Sequence, residues 1–177
     1  ALINDILDVS KMEAGKMEVL REPVRLYDIV AEGITAISGM AEIHQVSIVN
    51  KVRSETKHLK ISGDEKRLLQ MVLNLISNAI KYGGGSDVHI DLIEQADNHI
   101  TLLVEDFGPG LDRNIQQTLF QQYTSSPTAS TSHIESTGLG LALVTEIAKL
   151  HDGRIWVDSD IARGCRFYVA FELLERQ

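Results

Sequence analysis

Cysteine is nearly absent: Cys165 is the only one in 177 residues. No internal disulfide and no cysteine-built zinc centre can form, which fits the reducing cytoplasm. Basic charge is also scarce. Seventeen Lys and Arg stand against 25 Asp and Glu, a formal net charge of -8. That balance excludes a general nucleic-acid binder, which would carry a basic excess. It leaves room for local polyanion binding, because a few backbone amides, one Lys and a metal ion suffice. No apolar run approaches the roughly 20 residues that span a bilayer, and no signal peptide opens the chain. The sequence starts mid-pattern at Ala1-Leu2-Ile3 without a Met, so it reads as a piece of a longer protein. Any membrane attachment would then belong to segments upstream of Ala1.

What is present suits one soluble globular domain, or one domain with an appendage. Hydrophobic residues make up 44% and charged residues 24%, ordinary proportions for that class. A chain of roughly 150 residues hides about two thirds of its unfolded surface, enough for a real core.

The most informative stretch is Asp64 to Tyr82, DEKRLLQMVLNLISNAIKY. Leu68, Leu69, Met71, Val72, Leu73, Leu75, Ile76, Ala79 and Ile80 predict a largely buried helix, with Asp64 as its N-cap. Arg67, Gln70, Asn74, Asn78 and Lys81 recur at steps of three and four, which sets them in one stripe. A solvated stripe would normally use Lys and Glu. Asn is a poorer helix former by roughly half a kcal/mol. Two Asn one turn apart therefore read either as a polar face under a loop or as amides that hold a ligand.

Around this helix the pattern is mixed. Residues 1 to about 20 read as a helix with an apolar stripe at Leu2, Ile3, Ile6, Leu7 and Val9. It is either packed on its own domain or the end of a bundle helix that begins upstream. Pro23 breaks it. Val24–Leu26 reads as a short strand, Tyr27 to about His44 as a helix, Val46–Val52 and Leu59–Ile61 as strands. Gly83-Gly84-Gly85 stops the central helix. Val88–Ile93 and Ile100–Val104 form a hairpin pair. Residues 107–137 form a long loop rich in Gly, Pro, Ser and Thr, with a short helix from Asn114 to Tyr123. Long loops in compact domains are functional or disordered. Gly138–Leu150 reads as an apolar helix, and Gly153–Asp158 and Phe167–Phe171 as closing strands.

Two further motifs carry chemistry. Asp106-Phe-Gly-Pro-Gly110 ends a strand. Its carboxylate can accept a hydrogen bond from an exocyclic amine, and its glycines let backbone approach a ligand. The same residues would also make a plain strand-to-turn exit. Gly138-Leu-Gly140 opens a helix whose free amides can bind phosphate, or is simply a helix start. The third Gly of a dinucleotide fingerprint is absent, with Leu143 in its place, and no GK[ST] follows, so neither a Rossmann site nor a P-loop is present. Together the three signals describe a nucleotide site with a lid.

In these motifs the chain resembles the catalytic, ATP-binding domain of sensor histidine kinases, most like the hybrid type, in the superfamily shared with gyrase-type ATPases, MutL and related chaperones. Asp64–Tyr82 resembles the N box, Asp106–Gly110 the G1 box, Phe120-Gln-Gln-Tyr123 more loosely the F box, and Thr137-Gly-Leu-Gly-Leu141 the G2 box. Gly164-Cys-Arg-Phe167 is close to the usual ending. Ile3 to Lys16 resembles the end of the second dimerisation helix. The resemblance spans essentially the whole chain.

It implies an α/β sandwich, a mixed, largely antiparallel sheet covered on one face by three main helices. Residues 1–20 would belong to the dimerisation helix and 21–177 to the catalytic domain, with a lid at about 107–137. By the same resemblance, Asn78 is the Mg²⁺ ligand and Asn74 the neighbouring amide facing the phosphates. Lys81 is the basic residue near them, Tyr82 the aromatic beside the nucleotide, and Asp106 the carboxylate that reads the adenine amino group. Gly108, Gly110 and Leu111 form the near hinge of the lid. Thr137, Gly138, Leu139, Gly140 and Leu141 form its far hinge and phosphate cradle.

ATPase branches place a Glu one turn before the magnesium Asn as general base. Here that residue is Asn74, which cannot take a proton from water, so transfer to an outside nucleophile is the expected reaction. Asn74 and Lys81 would then be the catalytic pair. The chain departs from the family at Ser136, where many G2 boxes carry Gly, and in lacking an H box. None of its six histidines has the neighbours of a phosphoacceptor. His151 closes a helix, where a cation suits the dipole. The expected function is donation of the ATP γ-phosphoryl group to a histidine on a dimerisation domain upstream. Implied partners are that domain, as a homodimer, and a response-regulator receiver. The alternatives are a degenerate docking module or an ATPase of this superfamily.

Overall fold

The structure is a computed structural model that describes Lys11 and residues 17–119 and 138–174. After a segment without regular structure at residues 17–21, strand β1 (Glu22–Val24) leads into helix α1 (Leu26–Ile43). The order continues with β2 (Ile48–Asn50), a 3-10 turn (Ser54–His58), β3 (Ile61–Gly63) and α2 (Glu65–Tyr82). The hairpin β4 (Val88–Glu94) and β5 (His99–Asp106) follows, then α3 (Arg113–Leu119), α4 (Gly138–Leu150), β6 (Arg154–Asp160) and β7 (Gly164–Glu172).

Five strands form the main sheet in the order β2-β4-β5-β7-β6. The β2–β4 pair is parallel and the other three are antiparallel, the mixed sheet expected. Alternation, cleanest along β4, decides its faces. Val88, Ile90 and Leu92 of β4, Ile100, Leu102 and Val104 of β5, and Val169 and Phe171 of β7 are all buried. Helices α1, α2 and α4 cover that face. Leu68, Met71, Val72, Leu75, Ile76, Ala79 and Ile80 give α2 its buried stripe, and it packs between α1 and α4 above β4 and β5. The opposite face carries half-exposed groups such as Trp156, whose ring stacks on Tyr168 with centroids 5.1 Å apart.

Several boundaries differ from expectation for physical reasons. The first strand lies at Glu22–Val24, not Val24–Leu26, and pairs antiparallel with β3 in a separate two-stranded sheet. Pro is tolerated there because each strand of a two-stranded sheet has one open edge. Leu26 is fully buried as the first residue of α1. Strand β2 keeps only three of its seven expected residues. The Asn50 side chain accepts a hydrogen bond from the Val52 amide at 3.0 Å, which turns the chain away from the sheet. Residues 17–20 are not helical. The rest of the expected N-terminal helix, apart from Lys11, lies outside the described residues. So do Phe120–Tyr123, which would have extended α3.

His151 corrects another expectation. It is 5% exposed, and burial pushes its imidazole below the usual value, helped by the nearby Arg21 charge. Its Nε2 accepts from the Asp64 amide at 2.9 Å, and its Nδ1 lies 2.7 Å from the Ile147 carbonyl. An accepting Nε2 leaves the proton on Nδ1, so the ring is neutral and is not a cation answering the helix dipole.

Candidate functional site

Helix α2 is the common wall of the site. Asp64 caps it as expected: the carboxylate accepts from the Arg67 amide at 3.1 Å. Burial alone would raise this carboxyl. Amide donors from Leu20, Arg67 and Lys66, with the Arg67 charge, outweigh burial and hold it below the usual range. Further along, the polar stripe is internally wired. Arg67 donates to Gln70 Oε1 at 3.0 Å, and Asn74 Nδ2 donates to the Gln70 carbonyl at 2.9 Å.

Asn74 thus spends one amide hydrogen on its own helix, and its Oδ1 faces α4. A Cβ added to Gly140 would meet that oxygen at 3.2 Å and the Asn78 amide at 3.7 Å. Asn78 Nδ2 is buried and, among the described residues, has no hydrogen-bond partner. A buried unsatisfied donor costs about 1–3 kcal/mol. An acceptor such as a phosphate oxygen would remove that cost. Gly138 and Leu139 begin α4, and Leu141 turns into the core at 3% exposure. The first turn of α4 therefore stands beside the two asparagines.

Asp106 ends β5 and meets α2 at its C-terminal end. A Cβ on Gly83, the residue that ends the helix, would lie 3.0 Å from Asp106 Cβ. The carboxylate is 5% exposed and accepts from the Gly108 amide at 2.9 Å. Burial raises its affinity for a proton, Glu105 adds to this, and the Gly108 and Cys165 amides only partly offset it. Such a group, buried with capacity to accept, can read a donor on a planar ligand. Tyr82 is 36% exposed at the same end of α2. Lys81 is exposed and, among the described residues, without an ion pair.

Gly108 and Gly110 sit where backbone meets backbone. A Cβ on Gly108 would lie 2.6 Å from the carbonyl carbon of Gly83. Gly110 has φ +72°, and its Cβ would stand 2.0 Å from the Asp160 carbonyl oxygen, so no L side chain fits. Next to it the Leu111 amide donates to Ser159 Oγ at 2.8 Å, and Ser159 in turn donates to the Gly164 carbonyl at 2.7 Å. Gln116 of α3 donates to the Leu111 and Ser159 carbonyls at 3.0 and 2.6 Å. Residues 107–119, the near part of the expected lid, are therefore anchored to β6 and β7. Thr137, Ser136, His133 and the rest of that lid lie outside the described residues.

Three site-forming residues escaped the sequence reading. Ser159 looks like an ordinary strand residue, and Ser86, which accepts from the Phe107 amide at 2.9 Å, like an ordinary turn residue. His151 binds an amide 87 positions away. No local pattern reports such partners. Among the described residues, no group of three or more His, Cys, Asp or Glu could hold a metal ion.

Fold and site together define a nucleotide-binding α/β sandwich in which two helices face each other beside a buried carboxylate. The family model described as "Histidine kinase-, DNA gyrase B-, and HSP90-like ATPase" matches residues 63–175. The chain belongs to this family, and it is the ATP-binding domain. It is 33% identical over 177 residues to the sensor protein GacS of Pseudomonas syringae pv. syringae, covering 98% of this chain and 19% of that protein. It is 30% identical over 168 residues to the circadian input-output histidine kinase CikA of Synechococcus elongatus, covering 95% and 22%. The chain thus spans about a fifth of the length of these curated relatives.

A crystal structure of full-length ShkA in complex with AMPPNP superposes with a TM-score of 0.82 at 23% identity, over 99% of this chain and 36% of that one. The Acinetobacter baumannii histidine kinase AdeS gives 0.75 at 22%, over 98% and 78%. These two likenesses establish the fold. No helix among the described residues is long and apolar enough to cross a membrane.

Proposed function

We propose that this domain binds ATP with Mg²⁺ between α2 and α4 and donates the γ-phosphoryl group to a histidine on a dimerisation domain upstream of Ala1. The single observation that carries the kinase reading is Asn74. The position one turn before Asn78 holds an amide, and its Nδ2 donates to the Gln70 carbonyl. Such a group cannot deprotonate water, so the domain has no base there for hydrolysis, while transfer to an outside imidazole needs none from this chain.

Asp106 would accept from the adenine amino group, and Tyr82 would lie along the base. Gly138 and Gly140 would let the first amides of α4 approach the phosphates. Asn78 would offer Oδ1 to Mg²⁺ and its orphaned Nδ2 to a phosphate oxygen. One protein ligand is enough for Mg²⁺, which takes the rest from phosphate and water. Held there, the ion would supply positive charge that offsets the phosphates. Lys81, a point charge without an ion pair among the described residues, would steady the charge on the transferred group. Of residues 1–20, the part before residue 17 would be the last part of the dimerisation helix. The partners would be that domain, in a homodimer, and a response-regulator receiver, all in the cytoplasm.

Mixing this chain with a separate dimerisation fragment that carries its histidine tests the reading. Labelled phosphate should move from ATP to the fragment and should fall at least a hundredfold in Asn78→Ala and Asp106→Asn. Transfer that survives both substitutions would overturn the assignment. Release of free phosphate by the lone domain would favour the ATPase alternative instead.

A further inference from the structure

The two nucleotide-facing helices run antiparallel and touch at both ends. At one end Gly140 of α4 meets Asn74 and Asn78 of α2. At the other, the start of α2 meets the end of α4 through Asp64 and His151. We propose that Asp64 and His151 are positioning residues, forming a latch through which the segment entering the domain at residues 17–21 sets how α2 and α4 face the nucleotide. This rests on the reading of the α2–α4 face as the nucleotide site.

Asp64 divides its carboxylate between two tasks. Oδ1 caps α2 through the Arg67 amide at 3.1 Å, and Oδ2 accepts from the Leu20 amide at 2.9 Å. Its own amide donates to His151 Nε2 at 2.9 Å, while the His151 Nδ1–H is directed at the Ile147 carbonyl at 2.7 Å. Three separate pieces of chain therefore converge on two side chains. Arg21 adds a second tie. It donates to the Leu150 carbonyl at 2.5 Å and pairs with Asp152 at 2.7 Å. That pair is well exposed and weak by itself, but it lies beside the latch and closes the same gap.

The imidazole is seated with little slack. A Cβ on Gly63 would stand 3.0 Å from its Cδ2, and the Phe171 ring meets it edge-on at 6.2 Å. Met17, in the same incoming segment, is 7% exposed and belongs to the core. The segment is therefore docked rather than trailing. Asn78 lies 14 residues beyond Asp64, about 21 Å along a helix. Rigid helices in contact at two points carry a displacement at one end to the other.

Protonation would open the latch. A proton on Nε2 would face the Asp64 N–H, donor against donor. Arg21 opposes that charge, Asp64 and Asp152 favour it, and burial holds the ring neutral. Nucleotide affinity should then depend on the protonation of a residue that never touches the nucleotide. Reciprocally, bound nucleotide should tighten residues 17–22, because coupling between two sites is mutual.

The test uses the whole 177-residue chain. AMPPNP with Mg²⁺ is titrated from pH 7.5 to 5.5, and protection factors of the amides in residues 17–22 are measured by hydrogen exchange with and without it. Wild type should gain protection in that segment when AMPPNP binds. Asp64→Asn keeps an oxygen for the Arg67 amide but loses one acceptor for Leu20. It should lower protection at residues 17–22 about tenfold and weaken AMPPNP three- to tenfold. His151→Gln, which keeps an accepting and a donating group without titrating, should bind with a flatter pH profile than wild type. Wild type that binds AMPPNP, with Asp64→Asn loosening the segment at unchanged affinity, would overturn the latch and leave the nucleotide site standing. A pH profile identical in wild type and His151→Gln would overturn it too. Wild type that binds no AMPPNP at all would overturn the nucleotide reading and the latch with it.

Discussion

Burial raises the Asp106 carboxyl, so the folded chain keeps that proton to a higher pH than the unfolded chain does. Across that window the folded state binds more protons, and stability falls as pH rises through it. Asp106→Asn removes the ionised form while an amide oxygen can still serve Gly108. We expect the variant to have a higher urea midpoint at pH 7.5, read by circular dichroism. We expect it also to bind AMPPNP roughly tenfold to a hundredfold more weakly, since a hydrogen bond to a charged group is worth about 1.5–3 kcal/mol. Asn74 and Asn78 were legible in the sequence because Asn is a poor choice inside a buried helix, and Asp106 through its place in a motif, since Asp alone also suits a plain turn. His151 was not. A histidine after an apolar helix reads as a helix-end cation, and only the tertiary fold brings the Asp64 amide to its Nε2.

Among the elements, the α1–α2 contact is a constraint the sequence did not announce. Gly33 lies buried in the middle of α1, where it costs about 1 kcal/mol of helix propensity relative to Ala. A Cβ there would come 2.7 Å from Cγ1 of Val72, a fully buried and β-branched side chain that cannot swing aside. Overpacking costs about 1–3 kcal/mol, so Gly33→Ala should be neutral to destabilising by up to about 2 kcal/mol despite its better propensity. A clear rise in the urea midpoint would contradict this packing. The long helices and the β4–β5 hairpin were readable because each has one apolar face of regular period. Strands β1 and β2 were misplaced by two residues at each end because three-residue strands carry no period. A proline and an Asn-built turn set their limits instead.

At the scale of the whole molecule, two groups make the domain acid-sensitive in separate pH ranges. The folded His151 imidazole binds a proton less readily than in the unfolded chain. The stability this confers is complete above the ordinary imidazole value and is lost as pH falls below it toward the folded value. Asp64, held below the usual carboxylate range, adds stability above that range that is lost at still lower pH. His151→Gln should therefore flatten the fall of the urea midpoint between pH 7 and 5, and an unchanged slope would contradict the buried neutral ring. The overall architecture was legible because motif order and sheet alternation agree. The two-stranded β1–β3 sheet and the docked 17–21 segment were not, because their partners lie about 40 positions away, and for Arg21 about 130. Nucleotide binding by this domain depends on α2, α4 and Asp106 forming one site. Calorimetric titration of the chain with AMPPNP and Mg²⁺, beside Asn78→Ala and Asp106→Asn, tests that most directly. Saturable one-to-one binding in wild type, weakened at least tenfold in each variant, is the predicted result. No saturable heat in wild type, or equal affinity in all three, would contradict it.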